Sequence, residues 1–253
     1  MSKLPKAHQF IDLSDYGRPL ARVISTALKD TNFTPIHVTI GFIISGLFAV
    51  ACIIYGDYWS AAFFLIFKSV LDAADGELAR IKKTPSYTGR YLDSVADIIL
   101  NAIIFTSLWH ITDANIWLAI LAFLGIQLQG TLYNYYYVIL RNRFNGDTTS
   151  RVFEDTTPVA MKGENQKNVN ILFGLYKFFY GCFDKTIYFL DPNASKGKVL
   201  PKWLMTAIST FGLGFQLLII AIMLVAGLKD YIIPFFISYS LMIFIFIAIR
   251  KLL

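Results

Sequence analysis

The sequence carries little charge for its length: only 16% of its 253 residues are Asp, Glu, Lys or Arg. Soluble globular domains usually have about 25% charged residues, so this composition argues against a water-soluble globule. Cysteine is almost absent, and Cys52 and Cys182 cannot form a disulfide scaffold. Apolar residues make up 56% of the chain, with 22 Phe and 14 Tyr, which excludes a disordered protein. The composition predicts a single membrane-embedded domain over residues 1–253.

Six segments are long and apolar enough to cross a bilayer, which takes about 20 residues each. They cover residues 35–55, 59–80, 90–110, 116–140, 203–228 and 231–249. The second and third carry acidic residues at the ends that adjoin each other in sequence. We therefore expect an all-α, polytopic integral membrane protein with six transmembrane helices.

The basic residues predict the orientation of these spans, because cytoplasmic segments collect Lys and Arg. With the N-terminus inside, Lys229 is the only basic residue left outside. Both termini then lie in the cytoplasm, and the net charge of +6 lies on the cytoplasmic face. Such a face suits anionic lipid headgroups and phosphate-bearing substrates. No nucleic-acid motif accompanies the basic residues, so nucleic acid is not an expected partner.

Two further segments are amphipathic, and neither is predicted to span the membrane. Within residues 10–30, Leu20, Val23 and Ile24 follow helical spacing, with basic residues elsewhere on the helix. Residues 171–190 are long enough to cross, but Lys177, Asp184 and Lys185 interrupt them. We interpret both as interfacial helices, the second within a cytoplasmic loop at 141–202 whose first part, 141–170, is polar and predicted to be flexible.

The residues that carry chemistry lie between 71 and 97. On a helix, small and charged side chains share one arc of about 140° at the inner end of the second span. These are Asp72, Asp75, Gly76, Ala79 and Arg80. Asp93 and Asp97, four residues apart, share a face at the start of the third span, and a link around Pro85 makes the two helices antiparallel neighbours. The spacing therefore predicts four converging carboxylates.

Acids at helix ends are often solvated charges or partners of nearby bases, here Lys82, Lys83 and Arg90. Four carboxylates on facing arcs are different, because their repulsion is costly unless cations neutralise it. Hard divalent ions with oxygen ligands do so, which predicts a site for two metal ions. The small residues leave room for a ligand, and Arg80 offers a planar fork for phosphate. We interpret the cluster as a polyphosphate site for phosphoryl transfer.

The motif resembles the signature of the CDP-alcohol phosphotransferase (CDP-alcohol phosphatidyltransferase) family at all eight fixed positions. Those positions are Asp72, Asp75, Gly76, Ala79, Arg80, Gly89, Asp93 and Asp97. Six spans, an N-terminal amphipathic helix and Thr34-Pro35 at the start of the first span are also similar to that family. Ile36 departs from it, since many members have Asn after this proline.

The resemblance implies transfer of a substituted phosphate group from a CDP-linked alcohol to a second alcohol, with release of CMP and a need for Mg²⁺ or Mn²⁺. It implies that Asp72, Asp75 and Asp93 bind metal, and that Asp97 is the general base and also touches a metal. It places the CDP moiety against Gly76, Ala79, Arg80 and Gly89. It further implies a homodimer.

Three basic residues are weaker candidates for contact with the acceptor or with phosphate. Lys68 lies one turn before Asp72, where it either pairs with that carboxylate or binds substrate phosphate. Arg141 and Arg143 follow the fourth span on the predicted active-site side. They either reflect the positive-inside bias or bind a phosphorylated acceptor.

Three functions remain open at this point. The first is phospholipid synthesis from CDP-diacylglycerol and a polar acceptor such as glycerol phosphate, inositol phosphate or a related alcohol. The second reverses the roles, with CDP-choline or CDP-ethanolamine as donor and diacylglycerol as acceptor. The third is a cation transporter, which the cytoplasmic position of the acids and the lack of a repeat make a distant alternative. We expect the first.

Overall fold

A computed structural model describes residues 4–144, 146 and 154–253, and every regular element within them is helical. Ten α-helices follow one another along the chain. They are α1 (Arg18–Leu28), α2 (Pro35–Tyr55), α3 (Tyr58–Ile81), α4 (Tyr87–His110), α5 (Ile116–Arg143), α6 (Gln166–Leu190), α7 (Lys202–Ile208), α8 (Leu213–Val225), α9 (Lys229–Tyr239) and α10 (Met242–Leu252). Short 3₁₀ turns precede α1 and join α7 to α8. The predicted all-α class is confirmed for these residues.

Polar caps set the starts of the long helices. Thr34, Asp57, Ser86 and Asn115 each accept a hydrogen bond from a backbone N–H in the first turn of α2, α3, α4 and α5 respectively. Such caps satisfy N–H groups that have no partner within the helix. At the other end of α2, Gly56 takes a φ of 78°, the left-handed conformation that favours glycine and stops a helix. The predicted span 35–55 therefore coincides with α2.

Among the described residues, four helical segments are long and apolar enough to cross a membrane: α2, α4, α5 and the continuous stretch Lys229–Leu252. A fifth results if Lys202–Phe211 and Leu213–Val225, which meet at a bend of 55°, count as one broken span. These helices indicate a membrane protein. The remaining predicted span, 59–80, corresponds to α3 and is not among them, because Lys68, Asp72 and Asp75 make this helix too polar. The count of six spans is therefore not confirmed and stays a prediction.

At the end of the bundle where α3 begins and α4 ends, here called the outer end, side chains of α2, α3, α4, α5, α8 and α9 form a large apolar core and are fully or almost fully buried. The opposite end, where α3 ends and α4 begins, is called the inner end. Ala49 of α2, Leu65 of α3, Leu108 of α4 and Leu217 of α8 belong to it. A second apolar cluster joins α5 to α7 and α10 at the other end. The first cluster holds α3 and α4 against α2, which packs on both.

The two helices predicted to be interfacial also pack on the bundle. In α1, Ala21, Ile24 and Leu28 lie against α3, whereas Leu20 and Val23 are 61% and 67% exposed. In α6, buried aromatic residues face α4 and α5, and exposed ones such as Phe178 and Phe189 point away from the bundle. Their position at a membrane surface stays a prediction.

The loop predicted at 141–202 contains more structure than its polar sequence indicates. α5 continues to Arg143, and α6 occupies Gln166–Leu190. Glu154 binds Arg90, and Glu164 accepts hydrogen bonds from Ser86 and from the backbone of Thr88. The described residues 154–165 thus fasten to the first turns of α4, while 145 and 147–153 lie outside the described residues.

Candidate metal centre at the inner ends of α3 and α4

Three carboxylates meet where α3 ends and α4 begins. Asp72, Asp75 and Asp93 each offer one oxygen, and these oxygens all lie within 4.8 Å of one another. Asp72 and Asp75 come from successive positions on one face of α3, and Asp93 comes from the second turn of α4. A five-residue connection, 82–86, brings the two helix ends together. The predicted convergence is therefore observed for three of the four acids.

The environment of this group fits a bound divalent cation. Asp75 is only 8% exposed and accepts a hydrogen bond of 2.8 Å from Thr39 of α2. Asp93 Oδ1 is buried and has no hydrogen-bond partner in the part of the chain that the structure describes. A buried carboxylate oxygen without a partner, beside two further carboxylates, is costly unless a cation compensates it. Carboxylate oxygens are the ligands that Mg²⁺ and Mn²⁺ prefer.

Asp97 lies beside this group and makes a different interaction. Its Oδ1 accepts a hydrogen bond of 2.6 Å from Lys68 Nζ, and the Lys68 side chain is completely buried. The Lys68 ammonium also lies 4.8 Å from the centre of the Phe42 ring. Lys68 therefore pairs with Asp97, whereas the sequence had suggested Asp72 as its partner. The described residues donate no hydrogen bond to the other oxygen of Asp97.

The residues predicted to surround CDP fall into two groups. Gly76 and Arg80 share one face of α3, and a Cβ added at Gly76 would lie 3.5 Å from Arg80 Nη1. Ala79 lies in the same turn as Arg80. Gly89 lies in the first turn of α4, where its N–H donates to Ser86 Oγ at 2.9 Å. The small residues and Arg80 thus flank the carboxylates, and their contact with CDP stays a prediction.

A buried acid between Gly76 and Arg80 was missed by the sequence interpretation. Glu77 is 3% exposed and accepts hydrogen bonds from Arg80 Nη2 at 2.9 Å and from Arg18 Nη1 at 3.1 Å. Its spacing from Arg80 is a visible signal, because residues three apart are neighbours on a helix. Nothing in the sequence connects it with Arg18, which lies 59 residues earlier in α1.

Arg141 and Arg143 are occupied away from the carboxylates. Arg143 Nη2 donates to the carbonyls of Gly197 at 2.7 Å and Ser195 at 3.4 Å. Arg141 is 3% exposed, and its guanidinium lies 5.0 Å from the centre of the Tyr137 ring. Both side chains therefore contribute to packing at the inner end of α5, and their role toward an acceptor stays a prediction.

Glu164 acts as a remote cap for α4. Burial raises the pKa of this carboxyl, but hydrogen bonds from the backbone of Thr88, the side chains of Ser86 and Thr88 and the backbone of Met161 lower it to about 2. A carboxylate at a helix N-terminus also interacts favourably with the helix dipole. Glu164 thus orders the turn that carries Gly89, four residues before Asp93.

The fold and the carboxylate group agree with the family that the sequence motif resembles. The family model described as CDP-alcohol phosphatidyltransferase matches residues 33–152, a little under half of the chain. This region runs from just before α2 to just beyond α5 and contains all eight motif residues. Residues 33–152 therefore match the CDP-alcohol phosphatidyltransferase family.

One curated relative is CDP-diacylglycerol--serine O-phosphatidyltransferase of Bacillus subtilis (strain 168). It is 40% identical over 68 residues, which are 27% of this chain and 38% of the relative. The alignment thus spans well under half of either protein. It supports the match of this region to the family. The activity, substrates and partners of the whole chain are the subject of a proposal.

Proposed function

We propose that the protein transfers a phosphatidyl group from CDP-diacylglycerol to the hydroxyl of a polar alcohol and releases CMP. The observation that carries this proposal is the group of Asp72, Asp75 and Asp93 with its partnerless buried oxygen, within a region that matches the family. The Bacillus relative is named for an activity of the same kind.

In this proposal Asp72, Asp75 and Asp93 would hold divalent metal, Mg²⁺ or Mn²⁺, and Asp97 would contact a second ion when two are bound. Bound there, the metal would supply neutralisation of pyrophosphate charge and polarisation of the phosphorus. Arg80 binds a donor phosphate through its guanidinium, and Glu77 orients Arg80. Gly76, Ala79 and Gly89 leave room for the nucleotide close to the helix backbones.

Asp97 is the proposed general base. The acceptor oxygen attacks the phosphorus that bears the diacylglycerol, and a new P–O bond forms. The bond from that phosphorus to the oxygen of CMP breaks, and the hydroxyl proton passes to the free oxygen of Asp97. Lys68 holds the other oxygen, so the carboxylate keeps one orientation.

We further propose six spans with both termini and the metal group on the cytoplasmic side, α1 and α6 lying at that surface. The distribution of Lys and Arg supports this orientation. Lys229, the exception, donates to the carbonyl of Ile111 at the opposite end of α4 from Asp93. Cys182 is exposed and provides a test: a membrane-impermeant thiol reagent should label it in inside-out vesicles but not in intact cells, and the reverse would invert the orientation.

The activity itself is tested by reconstituting the purified protein with CDP-diacylglycerol, Mn²⁺ and a panel of alcohols, and by measuring CMP. We expect release that depends on both an alcohol and the metal. Product from CDP-choline plus diacylglycerol, without release from CDP-diacylglycerol, would reverse the roles of donor and acceptor. A homodimer stays a prediction from the family resemblance, and sedimentation in detergent measures it.

A further inference from the structure

A polar cavity lies between α5 and α6 and is separate from the group of carboxylates proposed to bind metal. Its described lining residues include two acids, no base and several hydroxyl or amide groups. They are Thr131, Asn134, Tyr135, Val138, Glu154, Tyr176 and Asp184. The space inside is about 20 Å³, enough for one group of the size of water or ammonium. Asn134 is exposed, so the cavity opens beside it.

The polar groups around this cavity are incompletely satisfied. Thr131 is 6% exposed, and its buried hydroxyl has no hydrogen-bond partner among the described residues. Within the same part of the chain, Asp184 accepts only a long hydrogen bond of 3.4 Å, from the hydroxyl of Tyr176. A buried hydroxyl and a carboxylate in this condition normally have a partner, either water or a ligand.

The charge of the cavity favours a cation as that partner. Glu154 is balanced by Arg90, whose Nη2 lies 2.6 Å from Glu154 Oε1. Asp184 has no base within salt-bridge distance among the described residues. Burial raises the pKa of Asp184 to about 6, so this carboxyl is mostly ionised at pH 7. A primary ammonium has three N–H donors, which match a carboxylate, a hydroxyl and an amide oxygen.

The cavity also lies at the depth of Asp97. Asp97 is 13 residues before the end of α4, and Thr131 is 15 residues after the start of α5. At a rise of about 1.5 Å per residue, they lie about 20 Å and about 23 Å from the turn that joins the two helices. α4, α5 and α6 pack on one another, and Tyr180 of α6 donates to the carbonyl of Ser94, three residues before Asp97.

We propose that this cavity binds the ammonium group of the acceptor, so that the acceptor is a small amino alcohol whose hydroxyl reaches toward Asp97. Asp184 and Thr131 are the specificity residues. A phosphorylated acceptor would be repelled by Asp184, and Arg141 and Arg143 are engaged elsewhere. This inference rests on the proposed transferase activity and narrows its acceptor class.

The test compares kcat/KM for ethanolamine with that for ethylene glycol, which has the same size but no ammonium, using CDP-diacylglycerol and Mn²⁺. Glycerol 3-phosphate provides the anionic comparison. The wild type should prefer ethanolamine to both. Asp184→Asn should raise the KM for ethanolamine about tenfold or more, with little change in kcat and in donor affinity, and should remove the preference over ethylene glycol. Asp155→Asn, which changes an exposed acid in the neighbouring segment, should keep the preference for ethanolamine over ethylene glycol.

Thr131→Val provides a second variant, because a hydroxyl without a partner can be removed at no cost to folding. It should raise the KM for ethanolamine while the thermal midpoint is unchanged, and it decides the question if Asp184→Asn does not fold. Equal use of ethanolamine and ethylene glycol, preference for glycerol 3-phosphate, or an unaltered preference in both variants would overturn the amino-alcohol site and leave the transferase in place. No CMP from any alcohol would instead contradict the transferase.

Discussion

The outer and inner halves of α3 and α4 contrast sharply, although they belong to the same two helices. In the outer halves, Leu65 and Leu108 are fully buried among apolar side chains. From the middle of α3 to its inner end, buried positions hold Lys68 and Asp75, with Asp93 of α4 beside them. Close packing stabilises the first region, since dispersion contacts sum over many atoms. The second region is costly to build without a ligand, which indicates that its residues serve chemistry.

The largest expected effect of a substitution lies in the inner region. Asp93→Asn, and likewise Asp72→Asn or Asp75→Asn, should abolish CMP release because each removes an anionic metal ligand at constant size. The thermal midpoint in metal-free buffer should be unchanged or higher, since one of several repelling charges is gone. Turnover near that of the wild type in any of the three would separate these acids from the reaction.

A smaller effect is expected at Asp97. Asp97→Asn should lower turnover by about a hundredfold, as is usual for loss of a general base, and should retain most of the affinity for CDP-diacylglycerol. Donor binding and CMP release are measured on the same preparation. If affinity falls in parallel with rate, Asp97 is chiefly a metal ligand. If neither changes, it has no part in the mechanism.

The outer region should show the opposite pattern. Leu108→Ala should lower the free energy of unfolding by about 2–5 kcal/mol, because it leaves a cavity in a packed core, while kcat/KM per folded molecule stays the same. Leu121→Ala is the matched control, since Leu121 is 50% exposed. Both are compared by thermal unfolding in detergent. A loss of kcat/KM in Leu108→Ala without a loss of stability would contradict the claim that the outer halves stabilise the fold and only the inner halves serve chemistry.

The smallest expected effect is on the stability of the folded protein at low pH, to which Glu164 contributes. Its pKa is about 2 in the folded protein against an ordinary value of 4.5, so its stabilising contribution is complete above pH 4.5. That contribution is lost as the pH falls from about 4.5 to about 2. Glu164→Gln should lower the thermal midpoint slightly at pH 7. Between about pH 4.5 and about pH 2, the thermal midpoint of the variant should fall less than that of the wild type. Identical pH profiles of wild type and variant would mean that the cap does not stabilise α4.

The sequence predicted local features well because their signals are local. The span 35–55 matches α2 because Thr34 caps its start and Gly56 stops it. The motif spacing likewise indicated that Asp72, Asp75 and Asp93 converge, since both helix faces could be derived from the periodicity. Residues 203–228 are predicted as one span, whereas Lys202–Phe211 and Leu213–Val225 meet at a bend of 55° that the apolar pattern does not indicate.

Features that depend on distant contacts could not be predicted. The pairing of Lys68 with Asp97 depends on how α3 is rotated relative to α4, which helical spacing alone does not determine. Glu154 and Glu164 lie in a polar loop, and their contacts with α4 span 64 and 76 to 78 residues. The cavity between α5 and α6 depends on the same long-range packing.

The most direct test of the account is metal binding by the inner region. Mn²⁺ is titrated into the purified protein, and bound metal is counted from the loss of the free-ion paramagnetic resonance signal. The controls are Asp93→Asn and Asp113→Asn, the latter changing an exposed acid at the opposite end of α4. The account predicts binding by the wild type and by Asp113→Asn, strengthened by CDP-diacylglycerol, and at least a tenfold loss of affinity in Asp93→Asn. Equal binding by Asp93→Asn and the wild type would contradict it.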